Sequence, residues 1–315
     1  MSEKIIKLKP ACKDYLWGGR RLIDEYNKEI EGDILAESWE LSCHPDGPSV
    51  IVSGESKGMT LTDYIEYQGQ EILGENCEKF PNFPILIKFI DAKQDLSVQV
   101  HPNDEYAKIH EHEFGKTEVW YVVSCDDDAK LYFGVKEAIS KEEFARRIAD
   151  DTLLEVLNEV PVKKGDVFFI AAGTIHAIGK NMMIAEVQQN SNSTYRIYDF
   201  GRRDANGNKR ELHVDKALDV SKLTPSKEPK FAGNHLAQCK YFTVDKLVVS
   251  DMATGQVPMN SFLSILALEG QGTIEIEGEQ EQFQRGDSFF LPAGAGEYCL
   301  EGNGEFLLSY IEDIK

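Results

Sequence analysis

Apolar residues along this chain fall in short runs broken by turn residues, not in long stripes of helical period. Phe83–Phe89, Leu96–Val100, Val119–Val123, Lys130–Phe133, Val167–Ile170, Met183–Val187, Phe242–Leu247, Phe262–Leu268, Thr273–Ile276, Ser288–Leu291 and Phe306–Ile311 are rich in β-branched and aromatic side chains. Gly, Asp and Asn separate them, so each run predicts a strand. Many short strands at this spacing predict a mainly β protein built from antiparallel sandwiches or jelly rolls. Helical signals are few. Leu61, Ile65, Ile72 and Leu73 make a modest amphipathic pattern. Ser140-Lys141-Glu142-Glu143 is a capping box ahead of Phe144, Ile148, Leu153, Leu154 and Leu157. Residues 206–222 suggest a loop and a short helix. These read as inserts around a β core. Pro225–Pro229 (Pro-Ser-Lys-Glu-Pro) is the best linker segment, which places a domain boundary near residue 235 and divides the chain into 1–235 and 236–315.

Two stretches repeat one another. Lys164-Gly165-Asp166 leads through Val167–Ile170 to Gly173 and His176, and Arg285-Gly286-Asp287 leads through Ser288–Leu291 to Gly294 and Glu297. Where the first copy ends in histidine the second ends in glutamate, and no histidine follows His235. An imidazole-bound metal is therefore possible in the first copy and impossible in the second, where Glu297 reads as a surface carboxylate and the whole segment as a structural partner.

Composition narrows the function. The 315 residues carry 34 basic against 54 acidic side chains, a net charge of −20. Such a surface repels nucleic acid and anionic membrane, and an anionic substrate would need a local cluster of Lys and Arg. No stretch of 18 apolar residues is present, and Met1–Lys7 lacks the apolar segment of a signal peptide. Six cysteines are scattered without a Cys-x-x-Cys pair, the pattern of free thiols in a cytoplasmic protein. Oligomeric state leaves no mark that can be read.

In Leu96–Pro102, strand alternation sets Leu96, Val98 and Val100 on one face and Ser97, Gln99 and His101 on the other. In Lys116–Val123 it sets Lys116, Glu118, Trp120 and Val122 together. With His176 after its glycine turn, the chain offers Gln99, His101, Glu118 and His176. Two imidazoles, a carboxylate and an amide oxygen suit zinc or another divalent first-row ion. A single histidine in a β protein is more often packed than ligating; the lost histidine of the second copy favours ligation here. His110-Glu111-His112-Glu113 also offers paired histidines, but its charged surroundings read as a solvated surface stretch. His44 reads as a turn residue, and His213 and His235 carry no partner signal. Cations for an anionic ligand are available in Lys116 and in Tyr195-Arg196-Ile197-Tyr198-Asp199-Phe200-Gly201-Arg202, which follows the polar run Gln188–Thr194. His101, Glu118 and His176 alone would also satisfy a non-haem iron oxygenase, which Gln99 as a fourth ligand argues against. A sugar-binding or regulatory module without turnover is the non-catalytic alternative.

Trp17-Gly18-Gly19, Glu37-Ser38-Trp39-Glu40-Leu41-Ser42, Leu96–Pro102, Lys116-Thr117-Glu118, Gly173-Thr174-Ile175-His176-Ala177, Glu186-Val187-Gln188-Gln189-Asn190-Ser191 and Tyr195–Asp199 together resemble the type I mannose-6-phosphate isomerases of the cupin superfamily. The resemblance spans nearly the whole chain and its length resembles the short bacterial branch. Relatives often have Lys-Pro-Glu where this chain has Lys116-Thr117-Glu118, a change on the face away from the ligands. The resemblance implies two cupin domains, the second without a metal. It implies a zinc enzyme, one ion per chain, interconverting mannose 6-phosphate and fructose 6-phosphate through an enediol(ate). Gln99, His101, Glu118 and His176 then correspond to the zinc ligands, Arg196 to the active-site arginine, and Ser97, Lys116 and Glu186 to pocket residues. The general base stays open between Glu186 and Lys116.

Overall fold

The strand Ile85–Ala92 reads Ile-Leu-Ile-Lys-Phe-Ile-Asp-Ala without alternation because both of its faces are covered. In the computed structural model, which describes residues 3–203, 207–227, 229 and 231–313, this strand lies inside a six-stranded antiparallel sheet. The order is Val167–Ile170, Glu118–Cys125, Met182–Gln189, Ile85–Ala92, Glu37–Leu41, Ala11–Lys13. One face of that sheet packs on a five-stranded sheet ordered Tyr195–Tyr198, Val98–Val100, His176–Ala177, Lys130–Val135, Leu157–Pro161. Trp120, Val122, Phe168, Ile184 and Ile90 meet Leu131 and Phe133 there. The outer face of the five-stranded sheet is closed by the helices Lys141–Ala149 and Val214–Val220, through Phe144 and Ala217 against Val98, Val100 and Ile197.

The other face of the six-stranded sheet presents Val119, Tyr121, Val123, Ile85, Ile87, Phe89 and Val187 to Phe262, Leu266, Phe290 and Leu307 of a nine-stranded sheet. That sheet is built mainly from residues 235–310, and its own interior holds Leu263, Ile265, Phe283, Phe289, Leu300 and Phe306. Its edge is completed by the N-terminal strands Ile6–Lys9 and Val50–Ile51, the first paired with Ser288–Leu291. Each fully buried side chain of this kind contributes about 1.5–3 kcal/mol, so one apolar core holds the two halves together. A buried ion pair crosses the same junction: Lys28 Nζ donates to Glu40 Oε2 at 2.8 Å and to the carbonyl of Gly286 at 2.7 Å.

Element boundaries differ from the sequence expectation in places with physical causes. The runs at 262–268 and 273–276 belong to one long strand, Leu263–Ile276, whose polar middle sits at a bulge between Ala267 and Glu269. The helix expected over 61–73 stops at Gln68, because Gly69 has φ +97° and a 3₁₀ turn follows. Ser140 caps its helix, accepting from the Glu143 amide. His44 begins a turn, as expected, its carbonyl accepting from Gly47 N at 3.0 Å, and its ring is buried against Trp39. Part of the Pro225–Pro229 segment lies outside the described residues, as does Asn206.

The two copies of the repeat share one hydrogen-bond pattern. Gly165 N bonds the Val122 carbonyl and Gly286 N that of Ala267, each at 2.8 Å. Asp166 accepts from Lys163 N and Asp287 from Gln284 N. The register Ile170↔Glu118 in the first copy is Leu291↔Leu263 in the second. Gly173 N bonds the His101 carbonyl and Gly294 N that of Pro258. Positions 101, 118 and 176 thus correspond to Pro258, Leu263 and Glu297. The second copy has kept the turns and lost both histidines. Glu297 is exposed, as expected.

Candidate metal centre

The inner face of the six-stranded sheet is apolar at one end and ionic at the other. Cross-strand partners share a face, and the register sets Trp120, Glu186, Lys88 and Trp39 in one row and Glu118 beside Gln188 in the next. In the facing sheet Arg196, Gln99, His176 and Phe133 make one row, since Arg196 and His176 both pair with Gln99 and His176 also with Phe133. His101 follows Gln99 by two residues on the same face. The two ionic patches face each other across the sandwich.

His101, Glu118 and His176 converge there, each buried, with one ligand atom apiece within 4.8 Å of the others. Glu118 Oε2 is 3.5 Å from His101 Nε2 and Oε1 is 3.4 Å from His176 Nε2. The half-buried Gln99 amide reaches His176 Nε2 at 3.3 Å; rotation of the amide exchanges its nitrogen for its oxygen. His101 Nδ1 donates to the Ser193 carbonyl at 3.0 Å and His176 Nδ1 to that of Thr174 at 2.8 Å. Those bonds leave each Nε2 as a bare lone pair turned toward Glu118, the arrangement of a ligating histidine. His101 Nε2 and both Glu118 oxygens are buried without any hydrogen-bond partner. Unpartnered buried acceptors are costly, and a divalent cation among them removes that cost. The glycine turn is part of the device: Gly173 has φ +85°, and a Cβ there would stand 2.8 Å from the Val220 carbonyl.

The electrostatics agree. Burial and nearby Lys116 push the His101 imidazole down to about 3, and burial pushes His176 down as well. Burial opposes the Glu118 charge, but Lys116 and His101 outweigh it and hold the carboxyl well below its usual range. Two buried lysines (88 and 116) stand against three buried glutamates (37, 118 and 186), one carboxyl more than the ammonium groups present. Lys116 Nζ is 3.1 Å from Glu118 and 3.9 Å from Glu186; Lys88 Nζ is 3.4 Å from Glu37 and 3.5 Å from Glu186. Glu186 accepts from Trp120 Nε1 at 2.7 Å, while its Oε1 has no hydrogen bond. Burial and the neighbouring Glu118 raise its pKa. Ser97 is buried. Arg196 is half-buried; Nη1 donates to the Glu211 carbonyl and Nε is unpartnered.

A pH dependence follows for the metal-free protein. Between about 3 and the unfolded value of 6.5, the unfolded chain binds a proton at position 101 that the folded chain refuses. Stability from this group is complete above 6.5 and is lost as the pH falls. Glu118, with its depressed pKa, acts in the same direction below about 4.5. The urea midpoint of the metal-free protein is expected to fall steadily from neutral to acid pH. A flat midpoint through that window would contradict this account.

Sequence reasoning missed several of these partners. Lys88 is a lone cation in an apolar run, which was the available signal. Glu37 lies in a motif already singled out. Glu113, set aside with His110 and His112, is separate from those exposed histidines. Its Oε1 accepts from His44 Nε2 at 2.9 Å and from Asn192 N at 2.8 Å, and its Oε2 accepts from Ser193 Oγ at 2.5 Å. It thereby fixes the loop whose Ser193 carbonyl orients His101. Outer partners of this kind tune metal affinity, so Glu113→Gln is expected to weaken metal binding by about tenfold, measured by competition with a chromophoric chelator. Unchanged affinity would show that the loop holds its shape without Glu113. His213 also gained a role, accepting the Arg196 amide.

Residues 5–127 match the family described as phosphomannose isomerase type I, catalytic domain, and residues 233–311 match the mannose-6-phosphate isomerase cupin domain. The mannose-6-phosphate isomerase ManA of Bacillus subtilis is 40% identical over 99% of this chain and 100% of its own length. The chain belongs to the type I mannose-6-phosphate isomerase family. A mannose-6-phosphate isomerase of Streptococcus mutans is 40% identical over 94% of each chain. The crystal structure of a B. subtilis mannose 6-phosphate isomerase superimposes with a TM-score of 0.89 at 33% identity, covering 98% of this chain and 99% of that one. The mainly β, cupin-containing architecture expected from the sequence stands.

Proposed function

We propose that this family member interconverts mannose 6-phosphate and fructose 6-phosphate through an enediol(ate), with one Zn²⁺ per chain held by Gln99, His101, Glu118 and His176. The observation that carries the reading is the convergence of His101, Glu118 and His176, with His101 Nε2 and both Glu118 oxygens lacking a hydrogen bond and Gln99 beside them, in a chain of this family. Zinc, when bound, supplies a Lewis acid for the sugar carbonyl. The residues do the rest. Arg196 stands in register with Gln99 and His176; its fixed positive charge stabilises negative charge as it develops on the substrate oxygens. Ser97, Lys116 and Glu186 line the pocket. Glu186 and Lys116 are the two groups placed to move the carbon proton between neighbouring carbons. Burial favours the neutral form of Glu186, while Lys88 and Lys116 oppose that effect, so its basicity is set by the balance of its neighbours.

Residues 1–235 are proposed as the catalytic unit and 236–315 as a cupin unit without a metal site. A cytoplasmic location is proposed from the free cysteines, and none of the described helices is long and apolar enough to cross a membrane. The test is a coupled assay of the zinc-loaded protein on mannose 6-phosphate under anaerobic conditions, with and without chelator. Turnover that a chelator abolishes and zinc restores is expected. Chelator-insensitive turnover would remove the metal from the chemistry, and a folded, loaded protein without turnover would favour a binding module.

A further inference from the structure

A groove of about 900 Å³ runs between the helices Leu61–Gln68 and Asp104–His110. None of the four proposed metal ligands lines it, and its volume is that of a small-molecule site. Three phenyl rings, Phe80, Phe83 and Phe114, form its apolar part. Three amides, Gln70, Asn82 and Asn190, border it, and among the described residues none of their side chains makes a hydrogen bond. Asn190 is only 8% exposed, and its Oδ1 is buried without a partner; rotation of that amide presents its donor or its acceptor. Three lysines complete the lining. Lys108 has no ion pair among the described residues. Lys79 reaches the exposed Asp313, and Lys240 stands 3.7 Å from Asp104. Asp104 already accepts from Gly115 N, Gln189 Nε2 and the Tyr241 hydroxyl, and Glu113 is filled by His44, Asn192 and Ser193. Of the lining carboxylates only Glu66, exposed on the first helix, is without a partner. On a chain of net charge −20, three lysines around one groove are a local reversal of field that suits an anion.

We infer that this groove is a second ligand site, for a purine nucleoside phosphate, separate from the metal centre and coupled to it through Glu113. Each part of the lining has a counterpart in such a ligand. Phenyl rings stack on a base. Amides that donate and accept match the edge of a purine. Lysines meet phosphate as point charges. A sugar phosphate would leave the rings unused, and a simple aromatic acid would leave the amides unused. Glu113 is a wall common to both sites. It faces the groove, and its Oε2 accepts from Ser193 Oγ, whose residue supplies the carbonyl that orients His101. A ligand seated against Glu113 therefore changes metal affinity, and by linkage the metal changes the ligand's affinity by the same factor.

The test is calorimetric titration of the zinc-loaded full chain with AMP, GMP and inorganic phosphate, repeated with mannose 6-phosphate in excess. AMP or GMP is expected to bind with a Kd below about 1 mM and to stay bound beside mannose 6-phosphate. Displacement by mannose 6-phosphate would place the nucleotide in the substrate pocket and overturn the inference, as would no binding of either nucleotide, or inorganic phosphate binding as tightly as both. Lys108→Ala removes an exposed cation and is expected to weaken the nucleotide by about 10- to 100-fold. Lys130→Ala, at an exposed lysine of the five-stranded sheet that does not line the groove, is expected to leave it unchanged. Asn190→Leu keeps the volume without the amide and is expected to weaken the nucleotide as well. Equal affinity in the parent, Lys108→Ala and Asn190→Leu overturns the site; should Asn190→Leu fail to fold, the two lysine variants decide alone. Competition with a chromophoric chelator, with and without AMP, reads the coupling. A change in zinc affinity of about 5- to 150-fold is expected, and an unchanged affinity overturns the link through Glu113. None of these measurements uses turnover, so their outcome is independent of the isomerase reading.

Discussion

Replacing His176 with alanine is expected to abolish zinc retention and to lower turnover of mannose 6-phosphate by about a thousandfold or more, since the carbonyl loses several kcal/mol of charge stabilisation. His176 is fully buried, packs edge-on against Trp120 and lies 4.7 Å from the His101 ring. Truncation therefore also opens a cavity, and part of any loss could be structural. His176→Gln separates the two effects, since it retains most of the volume and a single oxygen donor. It is expected to fold with a melting temperature near that of the parent and to bind zinc more weakly by at least the 10- to 100-fold typical of disturbing outer partners. Metal analysis after dialysis decides the matter. A His176→Ala protein that keeps stoichiometric zinc would show the ion to be held elsewhere, and the ligand set would have to be abandoned.

Arg196→Ala is the second large effect. Its side chain hydrogen-bonds the Glu211 carbonyl, among the described residues no hydrogen bond joins it to the four proposed ligands, and the His213 contact uses the backbone amide, which the substitution leaves in place. Zinc content should therefore be unchanged while kcat falls by about 10²–10³. Burial, Arg210 and Arg202 push the Arg196 guanidinium below its usual range, partly offset by Asp199, but an arginine stays charged at any working pH. The loss should then be the same across the pH profile. Arg196→Lys, which keeps a charge without the fork, is expected to recover part of kcat. Near-normal turnover of Arg196→Ala with full zinc occupancy would take Arg196 out of the chemistry.

The contrast between Arg196 and Lys88 shows where sequence reading works. Arg196 sits in the five-stranded sheet, one face of which is apolar and helix-covered while the other carries Ser97, Gln99 and His101. Alternation survives there and puts Ser97, Gln99 and His101 on one face, while Arg196 was marked by the family resemblance. Lys88 sits in a strand buried on both faces, so apolar residues flank it without period and nothing local says which face it takes. The same holds for Glu186 in Met182–Gln189, where all eight residues are buried. Glu113 was passed over for a different reason. Its partners, His44, Asn192 and Ser193, lie 69 to 80 residues away in sequence, and its local context is a charged surface stretch.

By itself the sequence determined the β architecture, the duplicated turn with its single surviving histidine, and the ligand types on the inward faces of two strands. These are local matters, set by two-residue periodicity, by glycines at positive φ, and by which side chains own a lone pair. Only the tertiary structure decided that the six-stranded sheet is covered on both sides, that Lys88 and Glu37 join the ionic cluster, that Glu113 orients His101 through Ser193, and that Arg202 and Arg210 share Asp199. Those outcomes depend on the register between distant strands and on how sheets stack, and a contact between residues so far apart leaves no periodic trace along the chain.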